Sequence, residues 1–192
     1  MKTDELVGVQ QHPHQETNID ALSNVSYNNY NMAEVKPIDL KDINVMSKIN
    51  AALEYGRMGF KVFPIKPNEK SPQVKGWQKV ATSEPEEINA LWTKFPEANI
   101  GILCGKKGGV FVIDVDVKNG AKGIGSLTLF EEHIPTNSPK VLTPSGGFHF
   151  YFKPVQGTKN KANILPGIDI RSDGGYIVAP PSTLTGGEYQ WN

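Results

Sequence analysis

Two carboxylates interrupt an otherwise apolar stretch of the sequence. In FVIDVD, residues 111–116, Asp114 and Asp116 stand among the β-branched and aromatic residues that are typical of a buried strand. Two carboxylates about 4 Å apart repel each other by roughly 4 kcal/mol at an effective dielectric constant of 20, so a positive charge is expected between them. Carboxylate oxygens favour hard cations such as Mg²⁺ or Mn²⁺. Two such ions suit phosphoryl transfer, in which one activates a hydroxyl and the other steadies pyrophosphate.

Alternation along three segments places further polar side chains on the same kind of face. In FVIDVDV, GGFHFYFK and GIDIR, apolar residues alternate with polar ones at the period of a β-strand. The polar positions are Asp114 and Asp116 in the first segment, His149 in the second, and Asp169 and Arg171 in the third. If the segments are neighbouring strands of one sheet, these side chains converge.

Other kinds of site fit the same residues less well. An EF-hand loop beginning at residue 114 would need an oxygen ligand at Lys118 and a glutamate at Gly125. Ser145, His149 and Asp169 contain the side chains of a hydrolase triad, but the GxSxG elbow is absent and Ser145 lies in a TPSGG turn. The phosphate-binding P-loop pattern is also absent. A buried structural histidine remains an alternative for His149.

The elements that must position these residues have recognisable ends. Ser47 and Gly59 mark the start and end of a predicted helix, and Ser83 with Glu86 predicts a capping box on a second one. Residues 172–175, SDGG, predict a turn that folds the following YIVA back as a hairpin on GIDIR. The helices are expected to serve as scaffold.

Composition predicts one domain with a polar arm. The chain has 192 residues and 38% hydrophobic content, and residues 1–42 are polar, rich in Asn and Gln and without periodicity. We therefore expect a disordered arm over 1–42 and a folded domain over 43–192. The sequence lacks an apolar run long enough to span a membrane, and the single Cys104 excludes an internal disulfide or a multi-cysteine zinc site. These features favour a cytoplasmic, reducing location.

The charge balance is neutral overall but uneven along the chain. Residues 1–48 contain four Lys and seven Asp or Glu, which leaves 16 Lys or Arg against 13 acids in residues 49–192. Five lysines recur in one stretch, and charge pattern alone predicts a solvated loop there. They are Lys61, Lys66, Lys70, Lys75 and Lys79.

Five blocks occur in an order and spacing that resemble a known family. They are KSPQVKGWQKVAT, FPEANIGILCG, VFVIDVD, TPSGGFHFYF and GIDIRSDGGYIVAPPS. The series resembles the N-terminal domain of bifunctional DNA primase/polymerases, the prim-pol branch of the archaeo-eukaryotic primase superfamily, over residues 49–191. The resemblance implies an α+β fold, with an RRM-like mixed or antiparallel sheet, flanking helices and a small α/β module forming one catalytic unit.

The same resemblance implies roles for individual residues. The carboxylates expected to be catalytic and to bind metal are Asp114, Asp116 and Asp169. The residues expected to contact the incoming nucleotide are Ser145, Gly146, Gly147, His149 and Arg171. With one cysteine the chain cannot build the zinc element that some relatives carry, so a two-metal site of Mg²⁺ or Mn²⁺ without zinc is expected.

These roles imply template-directed nucleotidyl transfer in the replication of a plasmid, phage or other mobile element. The expected partners are single-stranded DNA template and primer, dNTPs or NTPs, and a downstream helicase domain or protein, with no membrane. The chain would then be truncated at its C-terminal end. Two alternatives stay open: a catalytically silent DNA-binding or initiator module, and a glycosyltransferase that uses Asp114 and Asp116 for a sugar nucleotide.

Overall fold

Two antiparallel sheets organise the chain. The computed structural model describes residues 38–192. The strands are β1 Val62–Ile65, β2 Asn99–Leu103, β3 Phe111–Val115, β4 Lys140–Leu142, β5 Phe148–Phe152, β6 Lys161–Leu165, β7 Ile168–Arg171, β8 Tyr176–Ala179, β9 Thr183–Leu184, β10 Gly187–Glu188 and β11 Gln190–Trp191. The α-helices are α1 Lys48–Arg57, α2 Trp77–Val80, α3 Pro85–Lys94 and α4 Gly123–Leu127, and short 3-10 helices span Leu40–Val45, Lys118–Gly120 and Glu131–His133.

The strand order separates a large sheet from a small one. Six strands form the large sheet in the order β11-β4-β5-β3-β7-β6, three form the small sheet in the order β1-β2-β8, and β9 and β10 form a separate ribbon. Helices α1 and α3 pack against each other and against β1, which makes the small sheet the centre of an α/β unit. The predicted α+β class is confirmed.

The two predicted helices are present, and one of them begins differently from the prediction. The Ser47 side chain accepts a hydrogen bond from the Asn50 backbone N–H and caps α1, as expected. Helix α3 has Glu84 as its N-cap rather than Ser83, and no side-chain capping bond forms there. Pro85 explains the difference, because a proline suits the first helical position and keeps the residue before it out of the helical region.

The predicted hairpin between GIDIR and YIVA is wrong. β7 pairs with β3 and β6 in the large sheet, whereas β8 pairs with β2 in the small one. The 172–175 segment does turn, with a hydrogen bond from the Gly175 N–H to the Ser172 carbonyl and Gly174 at φ +89. It carries the chain across to the other sheet. The apolar pattern of β8 suits either sheet, so the pattern alone does not identify its partner strand.

The large sheet is covered by apolar residues on both faces. Phe111, Ile113 and Val115 on β3 pack in one cluster with Leu127 and Phe130. On the opposite face, a second cluster fills the space between the two sheets and the helices. It includes Val112, Val141 and Tyr151 from the large sheet and Ile102 and Val178 from the small one. The predicted alternation of faces along β3 is therefore present.

The expected arm, residues 1–42, lies mostly outside the described residues. Its last five residues are described, and the 3-10 helix Leu40–Val45 buries Ile43 completely. The Asn44 side chain donates to the Trp191 carbonyl at 3.0 Å and accepts from the Trp191 N–H at 2.8 Å. These bonds join the start of the described chain to the edge strand β11.

Asn99 provides a test of how the segment that begins at Thr183 is held in place. Its side chain is fully buried, donates to the Thr183 carbonyl at 2.7 Å and accepts from the Thr183 N–H at 3.1 Å. Because Asn99→Ala leaves both backbone groups without this partner, we expect it to lower the free energy of unfolding by about 2–3 kcal/mol in urea denaturation. Asn89→Ala, at an exposed position of α3, should change it by less than about 0.5 kcal/mol. Equal effects of the two substitutions would contradict the role assigned to Asn99.

Candidate active site

Strand β3 brings the predicted residues together because it lies in the middle of the large sheet. In its register with β5, Asp114 is opposite His149, and in its register with β7 it is opposite Asp169. The three side chains therefore lie side by side on three adjacent strands and on one face. Two residues earlier on the same face, Val112 is buried in the core between the sheets. The polar site begins where that shared core ends.

A guanidinium holds the two central carboxylates. Arg171 Nη2 donates to Asp114 Oδ2 at 3.0 Å and to Asp169 Oδ2 at 2.7 Å, and its Nε donates to the same Asp114 oxygen at 3.2 Å. The Arg171 side chain is 30% exposed and the Asp114 side chain 19%. Burial opposes the charge, but Asp114 and Asp169 together raise the pKa of Arg171 above its ordinary value. Charge repulsion between the carboxylates is therefore offset by Arg171.

The positions of Asp114 and Asp169 can be compared with those needed for the expected metal site. Oxygen atoms of Asp114 and Asp169 are the donors that a hard divalent cation prefers, and they lie on adjacent strands, so the donor set fits Mg²⁺ or Mn²⁺. In the described rotamers, however, the two Oδ2 atoms face Arg171. Across residues 38–192, no group of three or more His, Cys, Asp or Glu side chains is arranged to hold a metal ion.

Asp116 lies at the rim of the site. It follows the last residue of β3 and is exposed. Its Oδ1 accepts a hydrogen bond from the Lys118 N–H at 2.8 Å, and its backbone N–H donates to the Gly167 carbonyl at 2.8 Å. The side chain is thus held in a tight turn beside the strand end, separate from the Arg171 contacts that hold the other two carboxylates.

His149 lies beside Asp114, on the adjacent strand β5. Its side chain is 7% exposed, and its Nε2 is 3.5 Å from Asp114 Oδ1. The other ring nitrogen, Nδ1, is buried and has no hydrogen-bond partner among the described residues. Burial lowers the pKa of His149, although the charge of Asp114 opposes the shift. A neutral imidazole at pH 7 follows, and in this conformation it contacts a carboxylate rather than an open surface.

The TPSGG turn connects β4 to β5 beside the end of β3. The Thr143 N–H donates to the Gly147 carbonyl at 2.9 Å, and the Thr143 hydroxyl accepts from the Gly147 N–H at 3.1 Å. Ser145 and Gly146 are exposed at its tip. A Cβ on Gly147 would overlap the carbonyl oxygen of Val115, so glycine allows the turn to approach β3 this closely.

The loop that holds Lys70 contacts the first residue of β8. Tyr176, the first residue of β8, donates from its hydroxyl to the Lys70 carbonyl at 2.9 Å. The positive charge of Lys70 contributes to lowering the pKa of His149, after the larger effect of burial. The loop that holds Lys70 is folded back by a hydrogen bond from the Lys66 N–H to the Ser71 carbonyl. The run of five lysines was the available signal, but it does not say which lysine's charge acts on His149.

The close approach of the TPSGG turn to β3 can be tested at Gly147. We expect Gly147→Ala to lower the free energy of unfolding by about 1–3 kcal/mol, since the added methyl must displace the backbone of β3. Gly125→Ala is the control, because a Cβ at this exposed helical position meets nothing within 4 Å. It should be neutral or stabilising by up to about 1 kcal/mol. Urea denaturation measures both, and a tolerated alanine at 147 would contradict the close approach.

A family model matches most of the chain. The model of the family described as bifunctional DNA primase/polymerase, N-terminal (Prim-Pol), matches residues 52–192. A search of curated proteins finds no match. Among the described residues, no helix has the length and apolar character needed to cross a membrane. Because the family match covers well over half of the sequence and includes both sheets, the chain belongs to the Prim-Pol family of bifunctional DNA primase/polymerase N-terminal domains.

Proposed function

We propose that the protein is a metal-dependent, template-directed nucleotidyltransferase that joins a nucleoside triphosphate to a 3′-hydroxyl and releases pyrophosphate. Membership of the Prim-Pol family implies DNA primase/polymerase activity in general, with DNA and nucleotides as substrates. The observation that supports the finer proposal is the register across β5, β3 and β7, which places His149, Asp114 and Asp169 side by side. A cluster of carboxylates at the end of a buried face has the chemistry that this reaction requires.

Asp114, Asp116 and Asp169 are proposed to hold Mg²⁺ or Mn²⁺. When bound, the ions would supply activation of the attacking hydroxyl and neutralisation of the leaving pyrophosphate. The contribution of the protein is to position the carboxylates. Asp169 Oδ1 accepts a hydrogen bond from the Asn163 N–H at 2.8 Å, and Asp114 Oδ1 faces His149. One oxygen of each of these two carboxylates thus contacts the protein, and Oδ2 of each accepts a hydrogen bond from Arg171.

The nucleotide is proposed to lie between the TPSGG turn and Arg171. Ser145 and Gly146 are exposed at the turn tip, where the Ser145 hydroxyl suits a phosphate oxygen, while the N–H groups of Gly146 and Gly147 donate to Thr143 within the turn. Arg171 offers a planar fork of donors that matches phosphate. His149 belongs to this group by the resemblance, and its burial supports a second role, in which the neutral ring keeps Asp114 in place.

The setting of the reaction is a further part of the proposal. Replication of a plasmid, phage or other mobile element, together with a downstream helicase, is inferred from the resemblance alone. The silent DNA-binding module and the glycosyltransferase remain alternatives that activity assays separate from the proposal. The first would show no incorporation, and the second would consume a sugar nucleotide in place of a dNTP or NTP.

Substitution of the central carboxylates tests the assignment of the site. We expect Asp114→Asn and Asp169→Asn each to reduce primer extension at least about 100-fold, because each removes charge that stabilises the transition state through bound metal. Asp42→Asn is the control, since Asp42 is exposed on the 3-10 helix Leu40–Val45. Circular dichroism should show that the variants remain folded. Full activity of either site variant would exclude the proposed site.

Repulsion between the carboxylates, as expected from the sequence, would make the neutralisation of one of them stabilising. The pairing with Arg171 predicts no such gain in stability. Asp114→Asn removes a charge that accepts two hydrogen bonds from Arg171. We therefore expect its melting temperature without metal to equal or fall below that of the wild type. Thermal denaturation measures this, and a clear increase would show that repulsion between the carboxylates dominates.

A primer-extension assay tests the activity itself. The full chain is given single-stranded DNA with Mg²⁺ or Mn²⁺, dNTPs and NTPs are offered separately, and parallel reactions contain or lack an annealed primer. We expect clear extension of the primer and weak unprimed synthesis, because starting a strand requires two nucleotides to be held at once without a duplex. Strong unprimed synthesis would contradict the second expectation. Absence of incorporation under every condition would favour the silent module.

A further inference from the structure

Arg171 occupies the carboxylate oxygens that a metal ion would need. Its Nη2 contacts Oδ2 of both Asp114 and Asp169, and its Nε also donates to Asp114 Oδ2. We propose that Arg171 is a resident counter-ion of the site, and that a divalent cation binds only when the guanidinium leaves these two oxygens. This inference rests on the proposed function, because it assumes that the same carboxylates take a metal.

The other oxygen of each of these two carboxylates also contacts the protein. Asp169 Oδ1 accepts the Asn163 N–H at 2.8 Å, and Asp114 Oδ1 lies 3.5 Å from His149 Nε2. A divalent cation held by these carboxylates would therefore compete with the guanidinium for the same negative charge, because two positive groups this close together repel each other.

The guanidinium is able to leave. Its side chain is 30% exposed, so part of it already borders open space. Within residues 38–192, the hydrogen bonds of its side chain go to the two carboxylates. A long side chain with several rotatable bonds can reach phosphate oxygens once a cation has replaced it, which would transfer the arginine from carboxylate to nucleotide.

The movement of Arg171 away from the carboxylates can be measured because the chain contains few arginines. The sequence contains two arginines, Arg57 and Arg171. Arg57 is exposed on α1 and pairs with Glu54 three residues before it, with a hydrogen bond from its Nε at 2.9 Å. It forms an ordinary helix-surface ion pair, so it serves as an internal control for Arg171 in both mutagenesis and spectroscopy.

The first measurement is Mn²⁺ binding to the full chain without nucleotide, by electron paramagnetic resonance or calorimetry. We expect Arg171→Met to bind Mn²⁺ about tenfold more tightly than the wild type, because the competing cation is gone. Arg57→Met should leave the affinity unchanged, and Asp114→Asn should remove binding. A purely structural arginine would give the opposite result, with affinity that falls or stays the same as the fold is loosened.

The second measurement follows the wild type and does not depend on an Arg171 variant that folds. The Nε–Hε groups of Arg57 and Arg171 give two NMR cross-peaks, and Arg57→Met assigns them by the loss of one. On titration with Mg²⁺ we expect the Arg171 peak to shift or broaden while the Arg57 peak stays in place. Metal binding with an unmoved Arg171 peak, or equal Mn²⁺ affinity in the wild type and Arg171→Met, would overturn the inference while leaving the proposed function standing. Absence of metal binding in every form would overturn both.

Discussion

A charged group on the central strand of a packed sheet must be matched by another charge, and this requirement organises the surroundings of Asp114. Strand β3 has neighbours on both edges and apolar clusters on both faces. The Asp114 side chain is only 19% exposed, so water provides a small part of its solvation, and an unpaired buried charge is costly. Arg171 on the adjacent strand meets this need, and Asp169 beside it shares the same guanidinium.

The shared core between the sheets sets where this site lies. Val112 and Tyr151, from neighbouring strands, are buried against residues of the small sheet such as Ile102. The next pair along the same face is Asp114 with His149, at the point where the apolar contacts stop. The position of the small sheet therefore decides how much of the polar face is buried. The 172–175 turn, which carries the chain between the sheets, connects this packing directly to Arg171.

Burial also changes the role that the structure supports for His149. A histidine that contacts phosphate is expected to be accessible and able to carry a proton, whereas this ring is nearly enclosed and its pKa is lowered by burial. Exposed polar groups of the site are found instead at the TPSGG turn and at Asp116, and the Arg171 side chain is 30% exposed. Under the proposed function, the turn and the arginine would face the substrate and the histidine would support Asp114.

The sequence by itself determined the local features. Alternation with a period of two residues assigned the faces of β3, β5 and β7, because successive side chains on a strand point to opposite sides. The start of α1 at Ser47 and the acidic end of β3 also depended on short-range chemistry, as did the five blocks that resemble the Prim-Pol family. These features were predictable because each depends on neighbours in sequence.

Only the tertiary structure decided which strands are neighbours and what lies between the carboxylates. The apolar residues of β8 suit either sheet, so the pattern alone led to a hairpin with β7 that does not form. Similarly, the positive charge expected near Asp114 comes from Arg171, 57 residues away in sequence. Such pairings depend on the register and packing of segments far apart in the chain, where long-range contacts and burial outweigh the preferences that short sequence patterns express.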